Sequence, residues 1–292
     1  DGSAGQDFLT IDRSSAMSGA VQAAMRDGHA EIRSERAGRD YRFDLTRIES
    51  GGRSIGTVIL AFDVTEQEQA ERMRREFTAN VSHELKTPLQ GIIGSAELIE
   101  NGLVKPEDMP RFVGHIHSEA SRLMDLISDI IRLSQLDEGE EMPRESVDLY
   151  DEAAEAEENL RTAAEEKGVK LSLTGEGAEI SGVRRLVYEI IYNLCDNAIK
   201  YNRPGGSVEV SVTQSESEAA VTVTDTGIGI APEDQARVFE RFYRVDKSRS
   251  KESGGTGLGL SIVKHAVQYH HGSIDLKSTP GDGTTIKVTF PK

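Results

Sequence analysis

Phe77-Thr78-Ala79-Asn80-Val81-Ser82-His83-Glu84-Leu85-Lys86-Thr87-Pro88-Leu89 lies inside a long stretch of helical periodicity, and the front half of the fold turns on it. Apolar residues at Met73, Phe77, Val81, Leu85, Ile92 and Ile99 fall mostly three, four or seven apart, which predicts one face of a single helix. Upstream, Thr65-Glu66-Gln67-Glu68 is a capping-box pattern: the threonine hydroxyl and the glutamate carboxylate would each satisfy a free amide, so the helix is expected to start there. Downstream it is expected to run to Asn101-Gly102. Pro88 removes the hydrogen bond to the Glu84 carbonyl, which predicts a bend one turn after His83. His83 and Thr87, four apart, share a face.

Beyond that helix, Pro106-Glu107-Asp108 are good first-turn residues for a second helix reaching about Leu136. The connection is short enough to force an antiparallel hairpin. Phe112, Ile116, Ala120, Leu123, Ile127 and Ile130 form one stripe on the second helix, widened by Val113, Leu126 and Ile131. Two helices cannot bury so wide a face, so a symmetric dimer closing a four-helix bundle is expected. The acidic stretch from Asp137 to Lys167 reads as a linker and an amphipathic helix with a solvated charged face.

From Val169 strands and helices alternate: strand 169–173, helix 183–201, strands 207–213 and 219–225, helix 258–271, strands 273–278 and 284–290. That order predicts an α/β sandwich, a mostly antiparallel sheet covered on one face by helices. The segment 226–257, rich in glycine, serine and charge, reads as a functional lid. Ahead of Thr65, runs at 40–48 and 54–62 flank Ser50-Gly51-Gly52-Arg53 and read as a hairpin.

The bulk numbers narrow the function. With 292 residues the chain has room for two or three domains, and a formal charge of −16 opposes attraction to nucleic acid. Cys195, the lone cysteine, excludes an internal disulfide and fits a reducing compartment. No apolar run approaches the ~20 residues of a membrane span, and the start, Asp1 to Gly5, lacks signal-peptide features, so a soluble piece of a membrane-anchored protein is expected.

The chemistry-bearing residues fall into two groups. A neutral imidazole is a competent nucleophile near neutral pH, and Glu84 beside His83 can hold the other ring nitrogen's proton. His115 and His117 point to different helix faces, while His270 and His271 stand where imidazole complements a helix C-terminus. On helix 183–201, Asn193, Asn197, Lys200 and Tyr201 gather away from the apolar face of Val183, Val187, Ile190, Leu194 and Ala198. Amide oxygens suit Mg²⁺, and Lys200 suits a phosphate. Asp225-Thr226-Gly227-Ile228-Gly229 ends a strand and sets a carboxylate where it can accept from an exocyclic amine. Gly254-Gly255-Thr256-Gly257-Leu258-Gly259-Leu260 opens a helix whose free amides favour phosphate. Neither a P-loop nor a dinucleotide-fold spacing is present, so a different ATP site is required.

In this order the segments resemble the bacterial sensor histidine kinases. His83 lies in the H box, Asn193–Tyr201 matches the N box, Asp225–Gly229 the first glycine box, Phe239-Glu240-Arg241-Phe242-Tyr243 the F box, and Gly255–Gly259 the second glycine box. The resemblance implies an α+β multidomain chain: residues 1–63 resemble part of a PAS sensory domain, 64–140 a dimerisation and phosphotransfer hairpin, and 141–292 a gyrase-like ATPase. It further implies His83 as phosphoacceptor and Glu84 as general base, with Asn193 and Asn197 at Mg²⁺ and the phosphates. By the same resemblance Asp225 faces adenine, Arg244 sits near the γ-phosphate, and Lys200, Tyr201, Gly227, Gly229, Phe242, Gly255, Thr256, Gly257, Leu258 and Gly259 enclose the nucleotide.

Glu84-Leu85-Lys86-Thr87 matches the acid-x-x-threonine pattern of family members that also dephosphorylate their partners, which implies a role for Thr87. ATP and Mg²⁺ as cofactors, a homodimer, and a response regulator receiver domain as partner follow from the resemblance, as does a location on the cytoplasmic side of the membrane. Two departures from the family pattern stand out: Gly182 where many members have aspartate, and Ser273 in place of the second glycine of His-Gly-Gly. A gyrase-like ATP hydrolase is disfavoured by the histidine-bearing hairpin. A dimeric pseudokinase scaffold is disfavoured by the intact asparagines, Asp225 and glycine boxes.

Overall fold

A computed structural model describes residues 14–51, 53–137, 142–245 and 255–292. Expectations that rest on Asp1 to Gly5, Gly52 and Gly254 lie outside the described residues. The chain forms two compact units, one up to Ala79 and one from Asn80 onward.

In the first unit, helix α1 (Ser15–Asp27) is followed by strands β1 (His29–Arg36), β2 (Arg39–Ser50) and β3 (Arg53–Asp63), an antiparallel sheet in that order. The expected hairpin at 40–48 and 54–62 is β2 and β3, while α1 and β1 were not anticipated. Met17 and Ala24 of α1 bury against Phe43 and Leu45 of β2.

Helix α2 (Thr65–Glu100) carries His83 and crosses the division between the units. The capping box does not form. Thr65 Oγ1 instead accepts from the Asp40 amide at 2.9 Å and lies 2.6 Å from Asp63 Oδ1, while the Glu68 amide donates to the Val64 carbonyl. A strand edge and its terminal carboxylate reach the helix start before the local pattern can close. The helix is continuous through Pro88, which is buried. It ends with Gly102 at φ +67°, the Leu103 amide bonding the Leu98 carbonyl and the Gly102 amide the Ile99 carbonyl, a left-handed glycine stop.

Helix α3 (Met109–Asp137) returns alongside α2. Pro106 to Asp108 form a turn before it and not its first turn, because the Asp108 carbonyl is the acceptor that starts the helix, taking the Arg111 and Phe112 amides. Ser95 of α2 is buried and bonds His115 Nδ1 of α3 at 3.1 Å.

The rest of the second unit is a five-stranded sheet in the order β5 (Lys170–Gly175), β7 (Ser207–Gln214), β8 (Glu218–Asp225), β10 (Gly283–Pro291), β9 (Ser273–Thr279). Only β5 and β7 pair in parallel. Alternation builds it: Val208, Val210 and Val212 of β7 face inward while Glu209 and Ser211 face out. Helices α4 (Leu149–Lys167), α5 (Arg184–Lys200) and α7 (Gly259–Tyr269) supply Leu160, Ile190, Leu194 and Val263 to the same core. The acidic stretch is therefore more than a solvated face, since α4 buries Leu149, Ala153, Ala156, Leu160 and Ala164. Two short strands, β4 (Glu145–Asp148) and β6 (Glu179–Gly182), pair antiparallel beside it, and the short helix α6 (Pro232–Gln235) lies within the expected lid.

His270 ties the C-terminus of α7 to the start of α5. Its buried ring donates from Nδ1 to the Ala266 carbonyl at 2.7 Å and accepts the Val183 amide on Nε2 at 3.0 Å, and burial pushes its pKa down. Of the two family departures, Ser273 simply opens β9; the residue in the left-handed conformation that favours glycine is His271, at φ +56°.

Candidate functional site

Between α5, the end of β8, the 226–245 segment and the N-terminus of α7 lies a cavity of about 1050 Å³. Asn193, Asn197 and Lys200 on α5 and Tyr201 at its C-terminal end line it, on a side adjacent to the buried Val187, Ile190 and Ile191. Asn193 donates its amide to the Glu189 carbonyl at 2.8 Å, which turns its oxygen the other way. Gly259 stands there with no room for a side chain, since a Cβ would come within 2.9 Å of Asn193 Oδ1. Lys200 is held by Asp196 at 2.7 Å.

Asp225 closes the far end of the cavity. Its Oδ1 accepts the Gly227 amide at 2.7 Å and the Thr284 amide at 3.3 Å, leaving Oδ2 for a ligand. Burial raises its pKa against those two bonds. Gly227 packs on the Tyr201 carbonyl, where a Cβ would approach to 2.5 Å, and Gly229, at φ +69°, packs on the Thr279 carbonyl.

The second glycine box is braced by the F box. Phe242, itself at φ +62°, donates its amide to the Gly257 carbonyl at 2.9 Å, and Gly257 at φ +74° leaves space for Arg244 Nε. Gly255 and Thr256 line the cavity beside them, and Leu258 is fully buried beneath. This cradle of backbone and neutral amide oxygens fits a nucleotide's phosphates and a hard cation such as Mg²⁺, which takes oxygen ligands.

The hairpin supplies the remaining wall, which sequence reasoning missed. Asp129 of α3 accepts from Thr256 Oγ1 at 2.9 Å, and burial pushes its pKa up. Arg132 of α3 reaches the buried Glu189 at 3.2 Å, which also pairs with Arg185 at 3.1 Å. Farther along, Asp137 binds Arg241, which meets His265 at 3.1 Å, and burial beside that arginine lowers the histidine's pKa. Asp125, Asp129 and Arg132, spaced four and three apart, form a charged row along one side of an amphipathic helix, and that row was the available signal.

His83 is 81% exposed, with Nδ1 3.6 Å from Glu84 Oε1. The other Glu84 oxygen takes Arg244 at 3.0 Å, so the two residues expected at separate stations meet. Thr87 is exposed, and its hydroxyl donates to the His83 carbonyl at 3.3 Å. His83, Glu84 and Thr87 stand outside the cavity wall; Glu84 reaches it through Arg244. Cys195 is buried, its thiol pushed up to about 12, which suits a packing role.

A histidine-bearing hairpin thus packs beside an amide-lined cavity, and each half has its counterpart among known domains. Residues 73–139 match the His Kinase A (phospho-acceptor) domain, and residues 182–292 match the histidine kinase-, DNA gyrase B- and HSP90-like ATPase. The sensor-like histidine kinase SenX3 of Mycolicibacterium smegmatis is 40% identical over 237 residues, 80% of this chain and 62% of that protein. The chain belongs to the bacterial sensor histidine kinases. It spans about 60% of the length of this relative and of the SenX3 of Mycobacterium bovis, which is 37% identical over 266 residues. Among solved structures, full-length ShkA in complex with AMPPNP is 27% identical with a TM-score of 0.57, covering 74% of this chain and 45% of that one. The histidine kinase ThkA in complex with response regulator protein TrrA shares the fold, with a TM-score of 0.61 at 20% identity over 94% of this chain and 83% of that one. No helix among the described residues is long and apolar enough to cross a membrane.

Proposed function

We propose that the chain phosphorylates its own His83 from Mg-ATP and passes the phosphoryl group to an aspartate of a response regulator receiver domain. The observation that carries this reading is Glu84 standing between His83 and Arg244, so that one carboxylate links the phosphoacceptor to the edge of the nucleotide cavity. With Glu84 beside Nδ1, the nitrogen left to attack is Nε2. The N–P bond forms as the γ-phosphorus breaks from the bridging oxygen, ADP leaves, and Glu84 takes up the Nδ1 proton. For the reaction Arg244 must leave Glu84 and turn to the γ-phosphate, freeing the carboxylate as base.

Asp225 would hold the adenine amine, and Lys200, Tyr201, Gly229, Gly255, Thr256, Gly257 and Gly259 would enclose the nucleotide, with Gly227, Phe242 and Leu258 bracing that wall and not lining it. Asn193 and Asn197 would hold Mg²⁺, which supplies charge neutralisation on the phosphates when bound. Thr87, one turn beyond His83, would give up its bond to the His83 carbonyl and orient a water for dephosphorylation of the docked regulator.

The division of labour follows: 64–140 as dimerisation and phosphotransfer hairpin, 141–292 as catalytic domain, and the N-terminal segment as part of a PAS-like sensory module on the cytoplasmic side of a membrane-anchored sensor. Leu89, Ile93, Val113, Met124, Ile127 and Ile131 are exposed on the hairpin and support a homodimer as their cover. His83→Gln should abolish labelling from γ-labelled ATP while nucleotide affinity persists, and the parent's label should be acid-labile and base-stable. Label retained in the variant sinks the assignment.

A further inference from the structure

The Gly227 and Thr284 amides that aim Asp225 are not equally secure. Thr284 lies in β10 and is fixed by the sheet, paired directly with Asp225. Gly227 lies in the turn after β8, so its amide goes where that turn is anchored.

The anchor is a polar knot just beyond α5. Asn202, 7% exposed, donates its side-chain amide to the Ser207 carbonyl at 3.0 Å. The same carbonyl accepts the Thr226 amide at 3.1 Å, and the Ser207 amide donates to Thr226 Oγ1 at 2.9 Å. Thr226 Oγ1 lies 3.5 Å from Asn202 Oδ1, which also accepts the Arg203 amide at 2.9 Å. The Ile228 amide closes the ring on the Tyr201 carbonyl at 3.1 Å. The knot is tight enough that Gly206 can carry no side chain, since a Cβ would lie 2.1 Å from Asn202 Oδ1 and 2.8 Å from Thr226 Oγ1.

We infer that Asn202 and Thr226 are positioning residues for base selection: they hold Gly227 so that Asp225 Oδ2 presents a fixed acceptor to the nucleotide base. An adenine offers an exocyclic amine there, a donor that a carboxylate accepts, whereas guanine offers a carbonyl oxygen that it repels. A loosened turn lets Asp225 swing away from both, so the bond to adenine weakens and the repulsion of guanine fades. The inference rests on reading the cavity as an ATP site.

Displacement of a fluorescent nucleotide from the full chain by ATP and by GTP tests it, alongside KM and kcat for autophosphorylation. Thr226→Val keeps the shape and loses the hydroxyl; Asn202→Ala loses the bridge. Each should weaken ATP about tenfold, the size of one net hydrogen bond, leave GTP unchanged or tighter, and raise KM with kcat within about twofold. Thr226→Ser, which retains the hydroxyl, should match the parent. An unchanged ATP-to-GTP ratio in Thr226→Val overturns the inference, as does equal weakening of both nucleotides in Thr226→Val and Thr226→Ser. A parent chain that does not bind ATP overturns the ATP reading itself, and the inference with it.

Discussion

Helices α3 and α5 are both amphipathic, yet they use the property in opposite directions. α5, 17 residues long, buries nine of them and turns its amides to the cavity. α3, at 29 residues, buries only Leu126 and Leu133, turns the row of Asp125, Asp129 and Arg132 toward the nucleotide cavity, and leaves Val113, Met124, Ile127 and Ile131 outside. The first is complete within one chain. The second presents apolar surface that water does not favour, so its fold and its partner are one question.

Truncating the core of α5 should produce the larger effect. Ile190→Ala empties a fully buried site and should lower unfolding free energy by about 2–5 kcal/mol in urea, with the oligomeric state unchanged. A loss below ~1 kcal/mol would break the claim that this half stands alone. Ile131→Asp, on the exposed stripe of α3, should leave the urea midpoint of the ATPase half nearly unchanged while weakening self-association about 100-fold, read by analytical ultracentrifugation. A dimer of undiminished strength would remove that stripe from the interface.

The smallest effect sharpens the same contrast through pH. Because burial depresses the His270 pKa below its ordinary value of about 6.5, the folded state binds fewer protons there than the unfolded state. The stability it contributes is present above about pH 6.5 and is lost as pH falls through the unfolded value toward the folded one. Urea unfolding free energy should be lower at pH 5.5 than at pH 8, and His270→Gln should flatten the difference. An equal pH slope in the variant assigns the effect elsewhere.

Much of this was legible in the sequence. Valine alternation marked β7 and β8, and the polar side of α5 announced the amides at 193 and 197. What stayed hidden had no local signature. β4 and β6 are four residues each, too short for a period to show, and α1, with its run of small residues, carries a weak apolar face. The Thr65 pattern misled because Asp40, distant in sequence, competes for the same hydroxyl. Asp129 and Asn202 escaped notice for a related reason: what each does depends on Thr256 and Thr226, which only the fold brings near.

Gly182, a departure from the family pattern, sits against the end of α7. A side chain there would meet the His270 ring, its Cβ 3.0 Å from Nε2, the nitrogen that accepts the Val183 amide. The two positions are thus locked to one another, although 88 positions separate them. An aspartate at 182 would bring a carboxylate beside the ring nitrogen that accepts the Val183 amide, favouring the imidazolium over the neutral ring that holds this bond. A substitution at either position is therefore read at the other, and the helix C-terminus and the strand end that meet there change as a pair.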